Sequence, residues 1–277
     1  MSEEEGLILA IVDANGSFTD EERGEMYVAG SNINNQNTLK FVKKNPRIIK
    51  KVIVLNDCHH TESVHFCDNW INRLTKQHPE PYSHINIDKV LEEYDPTLIL
   101  DAGHPLSDIE YGLKQMKNAG WTDLYFWPRH CVAHSAGAAC APEVMEILNI
   151  LNAHKVTATM IYKGVLYNED QLSGAYATYY VDNYKMETFA TLVYRLLVDK
   201  KMKLIMVGQA LTHCLGLTAK ELAIFLGDRA NQIYIPLDCT SPIPDSDLEG
   251  MLKSLRALGV NIIDSIFDLT EKDDSHI

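Results

Sequence analysis

Cys214 stands where a reactive thiol would be expected. It closes the stretch Gly208-Gln209-Ala210-Leu211-Thr212-His213-Cys214, in which an apolar run at 204–207 gives way to a glycine-started turn and then to helical periodicity. A cysteine in the first turn of a helix feels the positive end of the helix dipole. That favours the thiolate, the nucleophilic form. Amides at a helix start can also donate to an oxyanion. The competing reading is a small buried hydrophobe, the usual fate of a free cysteine, and Cys58, Cys67, Cys131, Cys140 and Cys239 are read that way. His213 is a poor base for its neighbour, because adjacent side chains on a helix diverge by about 100°.

Two more candidates close apolar runs. Asp13 ends the run at 7–12 and opens Asp13-Ala14-Asn15-Gly16-Ser17-Phe18; such a carboxylate either caps the following turn or points into a pocket. Lys163, followed by Gly164, ends the run at 158–162. It is a solvated strand end unless a thiol lies nearby. Asp57-Cys58-His59 follows the run at 52–55, and in extended chain residues i and i+2 point the same way, so Asp57 and His59 can share one metal ion. A third ligand is offered by His130 in Trp127-Pro128-Arg129-His130-Cys131, where the proline restricts the backbone around it. Two histidines and one aspartate leave coordination positions open, as a catalytic zinc site requires. His65 is read as a surface or outer group, with a role as fourth ligand as the alternative.

The elements that must position these residues follow from the pattern. Continuous apolar runs at 7–12, 52–55, 97–100, 158–162, 204–207 and 233–237 suit strands buried on both faces. Helical spacing occupies 142–154, 185–200, 215–226 and 245–258. The alternation predicts an α/β, three-layer, doubly wound fold: a central, mainly parallel sheet of about six strands flanked by helices, with ligands at the carboxyl ends of the strands. A single domain over 1–277 is expected, with an insertion or lid around 66–120, where polar and proline-bearing chain such as Gln77-His78-Pro79-Glu80-Pro81 occurs.

The net charge of −13 argues against nucleic acid and anionic membrane partners. No signal peptide or membrane span is expected, since the chain starts Met-Ser-Glu-Glu-Glu and its first apolar run is only six residues long. Six cysteines without a CxxC pair predict free thiols and a cytoplasmic location. Assembly into a homo-oligomer is left open by the sequence.

Taken together, these motifs resemble the nicotinamidase branch of the isochorismatase-like cysteine hydrolases. The resemblance is carried by Asp13 to Phe18, by Asp57-Cys58-His59, by the unbroken Trp-Pro-x-His-Cys-Val of residues 127–132, by Lys163-Gly164 with the small and aromatic stretch Leu172-Ser173-Gly174-Ala175-Tyr176, and by the Gly-x-Ala-x-x-x-Cys of residues 208–214. Two departures stand beside the machinery: Asn15-Gly16-Ser17 replaces the usual Gln-Asn-Asp, and Leu211-Thr212-His213 replaces Thr-Asp-Tyr. The seventy residues between His59 and His130 are also more than the family leads one to expect.

The resemblance implies a zinc-dependent amidohydrolase that cleaves a linear amide, nicotinamide to nicotinate and ammonia, in NAD salvage. In that scheme Cys214 attacks the carboxamide, Asp13 moves protons and Lys163 holds the ion-paired arrangement. Ala210 and Cys214 amides form an oxyanion hole next to a cis Gln209–Ala210 peptide, and Phe18 and Trp127 flank the ring. Asp57, His59 and His130 hold Zn2+ or another divalent metal that orients the small-molecule amide substrate. An amidase of the same superfamily acting on another small amide or carbamoyl compound is the alternative, and a non-catalytic binding protein on this fold is a third.

Overall fold

The computed structural model describes residues 6–118, 120–182, 185–198 and 202–270. The described residues gather into two compact units, one within 6–56, 140–163 and 172–270 and the other within 57–139 and 164–171.

The first unit is built on a seven-stranded sheet. Its order is Asn261–Ile263, Ile233–Pro236, Met202–Gln209, Gly6–Val12, Ile49–Asp57 and Ala158–Lys163, with Thr240–Ser241 also paired to Met202–Gln209. The ladders that join Ile49–Asp57, Gly6–Val12, Met202–Gln209, Ile233–Pro236 and Asn261–Ile263 are parallel. Every residue of Gly6–Val12 is buried, because strand alternation sends its side chains to two separate cores. Ile8, Ala10 and Val12 join Leu204 and Met206 under the helices Phe189–Val198, Cys214–Leu226 and Leu248–Ala257. Leu7, Leu9 and Ile11 join Ile205 and Val207 under Ser31–Lys44 and Pro142–Ala153. This is the expected three-layer α/β arrangement. Register then sets the site: Val12 lies opposite both Leu55 and Gly208, so the residues that follow these strands leave the sheet at one level.

The second unit has its own core, in which Trp70, Val90, Ile99, Ile109, Leu124 and Phe126 are fully buried. Two short antiparallel pairs, Ile71–Asn72 with Tyr94–Asp95 and His84–Asn86 with Asp123–Tyr125, and the helix Leu106–Asn118 frame it.

Two expected elements differ. The run at 97–100 is not a strand but the short helix Thr97–Asp101. Only Ile99 reaches the core, while Leu98 and Leu100 are exposed, so the apolar run reflects composition and not burial on two faces. Of the helix expected over 185–200, Lys185–Thr188 is a strand paired with Thr178–Asp182, and the helix begins at Phe189. The switch is set by a reciprocal cap, in which the Thr188 hydroxyl accepts from the Thr191 amide and the Thr191 hydroxyl from the Thr188 amide. Residues 199 and 200 lie outside the described residues. Among the described residues no helix is long and apolar enough to cross a membrane.

Candidate active site

In the first unit three strand ends deliver one buried cluster. The amide of Asp13 still donates to the Leu55 carbonyl at 2.8 Å, but its φ of 47° turns the chain out of the strand at this point. Left-handed backbone is uncommon for a residue other than glycine, with aspartate among the types that tolerate it. Lys163, the last residue of its strand, places Nζ 3.0 Å from Asp13 Oδ2 and 3.7 Å from Cys214 Sγ. Asp13 and Lys163 are each 1% exposed. An opposite charge beside a buried lysine favours its charged form, and an ammonium beside a sulfur favours the thiolate. Cys214 is the first residue of a helix of 13 residues, as the sequence predicts.

Burial pushes the thiols of Cys58, Cys67, Cys140 and Cys239 upward, so they stay protonated, and none of the six cysteines is in a disulfide. Burial lowers His213 and keeps its imidazole neutral at neutral pH; its Nδ1 lies 3.1 Å from the Thr212 hydroxyl.

The loop before Cys214 is held from a direction the sequence did not suggest. Gly208, at φ 109°, leaves room for a neighbouring strand, since a Cβ there would meet the Val12 carbonyl oxygen at 2.0 Å. The Gln209–Ala210 peptide is cis, as the resemblance implies. Gln209 donates from Nε2 to Asn34 Oδ1 at 3.3 Å and accepts from the Ser241 amide at 3.3 Å. Asn34 also accepts from the Ser241 hydroxyl and donates to the carbonyls of Asp238 and Thr240. This buried amide uses its whole hydrogen-bonding capacity to tie three segments together. Asn34→Ala is expected to cost about 1–3 kcal/mol from the partners it abandons. By misplacing the loop it should also lower kcat on the order of 100-fold, which denaturant titration and steady-state kinetics would measure together.

The second unit gathers the other set. His59 Nε2 lies 2.8 Å and His130 Nε2 3.4 Å from Asp57 Oδ2. The opposite ring nitrogens face carbonyls: His59 Nδ1 is 3.0 Å from the Gly164 oxygen and His130 Nδ1 2.8 Å from that of Pro128. A carbonyl oxygen only accepts, so each Nδ1 donates outward, while each Nε2 is turned toward the carboxylate. That is the outer support a metal-bound histidine ordinarily has. His65 is not a surface group. It is fully buried, its carbonyl accepts from the Trp127 amide, and it joins His59 and His130 in a set whose donor atoms lie within 4.8 Å of one another. Its Nδ1 lies 3.8 Å from Asp170, whose other oxygen accepts from Trp127 Nε1 at 3.4 Å. Nothing in the sequence drew attention to Asp170. Three imidazoles and a carboxylate fit a borderline-soft divalent ion such as zinc.

Gly164 is required by this packing. Its φ is 70°, and a Cβ would come within 2.3 Å of His59 Cε1 and 2.5 Å of Nδ1. Gly164→Ala is therefore expected to displace the ring from its carbonyl partner and weaken metal retention about 10- to 100-fold, as read by elemental analysis after dialysis against a graded chelator.

Of the residues expected to flank a ring, Phe18 is buried in the first unit within the short helix Gly16–Thr19. Trp127 is buried in the second, stacked on Tyr125. Ala210 is buried just after the cis peptide.

Solved structures share this architecture. The yeast nicotinamidase aligns over 94% of this chain and all of its own, with a TM-score of 0.63 at 18% identity. The fold is that of the nicotinamidases. A nicotinamidase and pyrazinamidase of Acinetobacter baumannii aligns over 97% of this chain and all of its own, at TM-score 0.59 and 18% identity. A Pyrococcus horikoshii pyrazinamidase in complex with zinc aligns over 93% of this chain and 98% of its own, at TM-score 0.51 and 16% identity. No protein-family model and no curated protein matches the sequence.

Proposed function

We propose that this protein is an amidohydrolase that cleaves a small carboxamide, nicotinamide foremost, to the carboxylate and ammonia through a thioester on Cys214. The observation that carries the reading is the Lys163 ammonium set between the Asp13 carboxylate and the Cys214 sulfur. In the proposed reaction Asp13 takes the thiol proton and the Cys214 sulfur attacks the carbonyl carbon. Amides of Ala210 and Cys214 receive the oxyanion, a contact worth about 100- to 1000-fold in rate per donor. The carbon–nitrogen bond then breaks as Asp13 returns the proton to the leaving ammonia. A water, deprotonated by Asp13, cleaves the thioester to release the acid and restore the thiol.

Asp57, His59 and His130, with His65 beside them, would hold zinc or another divalent ion, which when bound supplies a Lewis acid for a pyridine nitrogen or a water. The neighbours favour nicotinamide: the yeast enzyme is a nicotinamidase, solved also with the inhibitor nicotinaldehyde, and the Pyrococcus horikoshii structure carries zinc. A place in NAD salvage and a cytoplasmic location with six reduced thiols belong to the same reading.

A second reading, another small amide or carbamoyl substrate, is favoured by Asn15-Gly16-Ser17 and Leu211-Thr212-His213 beside the machinery. Ammonia release by the purified protein separates the two. Turnover of nicotinamide with micromolar to millimolar KM, the usual enzyme range, supports the first. Inert nicotinamide with another amide cleaved would overturn it.

A further inference from the structure

The buried histidines leave unused a second group of metal-binding side chains in the same unit. We propose that His60, Glu62 and His104 form a separate surface site for a divalent transition-metal ion. Each offers a donor atom, and these atoms lie within 4.8 Å of one another. Two imidazole nitrogens and one carboxylate oxygen make a borderline donor set, suited to Zn2+, Co2+, Ni2+ or Cu2+ and not to Mg2+ or Ca2+, which prefer oxygen.

The group is partly organised. His60 Nδ1 already approaches Glu62 Oε2 at 2.5 Å, and the other carboxylate oxygen accepts from the Thr61 hydroxyl at 2.8 Å. His104 stacks on Tyr167, with ring centroids 3.8 Å apart and planes at 20°. Tyr167 is fixed in turn by donating its hydroxyl to Asp108 at 2.7 Å. The ring of His104 is therefore held in orientation by its stack on an anchored tyrosine. Ligands around a zinc-sized ion sit about 3.3 Å apart, given bonds of about 2.0–2.2 Å. A small opening of the His60–Glu62 contact and a small approach of His104 would meet that distance.

This group is distinct from the buried one. His60 is 55% exposed whereas its chain neighbour His59 is buried, because successive residues in extended chain point to opposite sides. One short segment thus supplies a histidine to each site. Only three protein donors and open access to water make the surface site the weaker and more exchangeable of the two.

The test is equilibrium dialysis of the purified protein against Co2+, with uptake read by elemental analysis and by visible absorption. Wild type is expected to bind in two classes. His60→Ala and Glu62→Gln should each weaken the second class at least 10-fold and leave the first intact, while His130→Ala should weaken only the first. His104→Gln should behave like His60→Ala. Magnesium should fill neither class under the same conditions. Binding unchanged in His60→Ala and Glu62→Gln, whether wild type shows one class or two, or equal uptake of Mg2+ would each overturn the site. Uptake is read without any substrate, so the outcome does not depend on the proposed amidase reaction.

Discussion

Cys214→Ala is expected to abolish amide turnover, by about 10^6-fold if it acts as the nucleophile of a covalent hydrolase, while leaving the fold in place. The sulfur is only partly buried at the edge of the core under its helix. Its loss removes roughly one methylene's worth of burial, about 1 kcal/mol. Mass spectrometry after rapid quenching should find an acyl adduct on the wild type and none on the variant. Cys58→Ala and Cys140→Ala serve as controls, because burial pushes both thiols up and keeps them unreactive; they should retain activity within a few-fold. Turnover surviving in Cys214→Ala, or lost equally in the controls, would remove Cys214 from the reaction.

Lys163→Met should be the most damaging change to stability and activity together. It keeps the length of the side chain but deletes the ammonium 3.0 Å from a carboxylate that is 1% exposed. Removing one partner of a buried ion pair typically costs about 3–5 kcal/mol, because the remaining charge is left uncompensated. Adding Asp13→Asn should return most of that stability, since the orphaned charge is gone, but none of the activity, since the ammonium and the acid are both absent. A purely structural ion pair would recover both. Chemical denaturation and the amidase assay on the two single variants and the double variant distinguish these outcomes.

The central strands were legible because they are buried on both faces, which writes continuous apolar runs into the chain at 7–12, 52–55, 204–207 and 233–237; the run at 158–162 also lies in a strand, but one at the end of the sheet order with Ala158 and Tyr162 exposed. The same signal misled at 97–100, where the run makes a single turn of helix with one residue in the core. The helix Ser31–Lys44 left almost no periodic trace. Its inner face carries Ser31, Asn34, Asn35 and Thr38 beside Leu39, Phe41 and Val42, so a hydrophobicity pattern does not find it. That polar face is the one that grips Gln209. His65 was misjudged for a related reason. Histidine type gives no sign of burial, and its pairing with Trp127 lies sixty residues away in the chain.

By itself the sequence determined the fold class, the thiol at a helix start, and the pairing of Asp57 with His59 two residues on. Each of these is local: a run, a spacing or a residue type on one element. Tertiary structure alone decided how closely Lys163 approaches Asp13 and Cys214, that Asn34 supports the nucleophile loop, and that the buried His65 and Asp170 join the histidine set. Those relations span tens to hundreds of residues. They depend on strand register and on which polar groups burial forces into contact, and neither is encoded in any single stretch of chain.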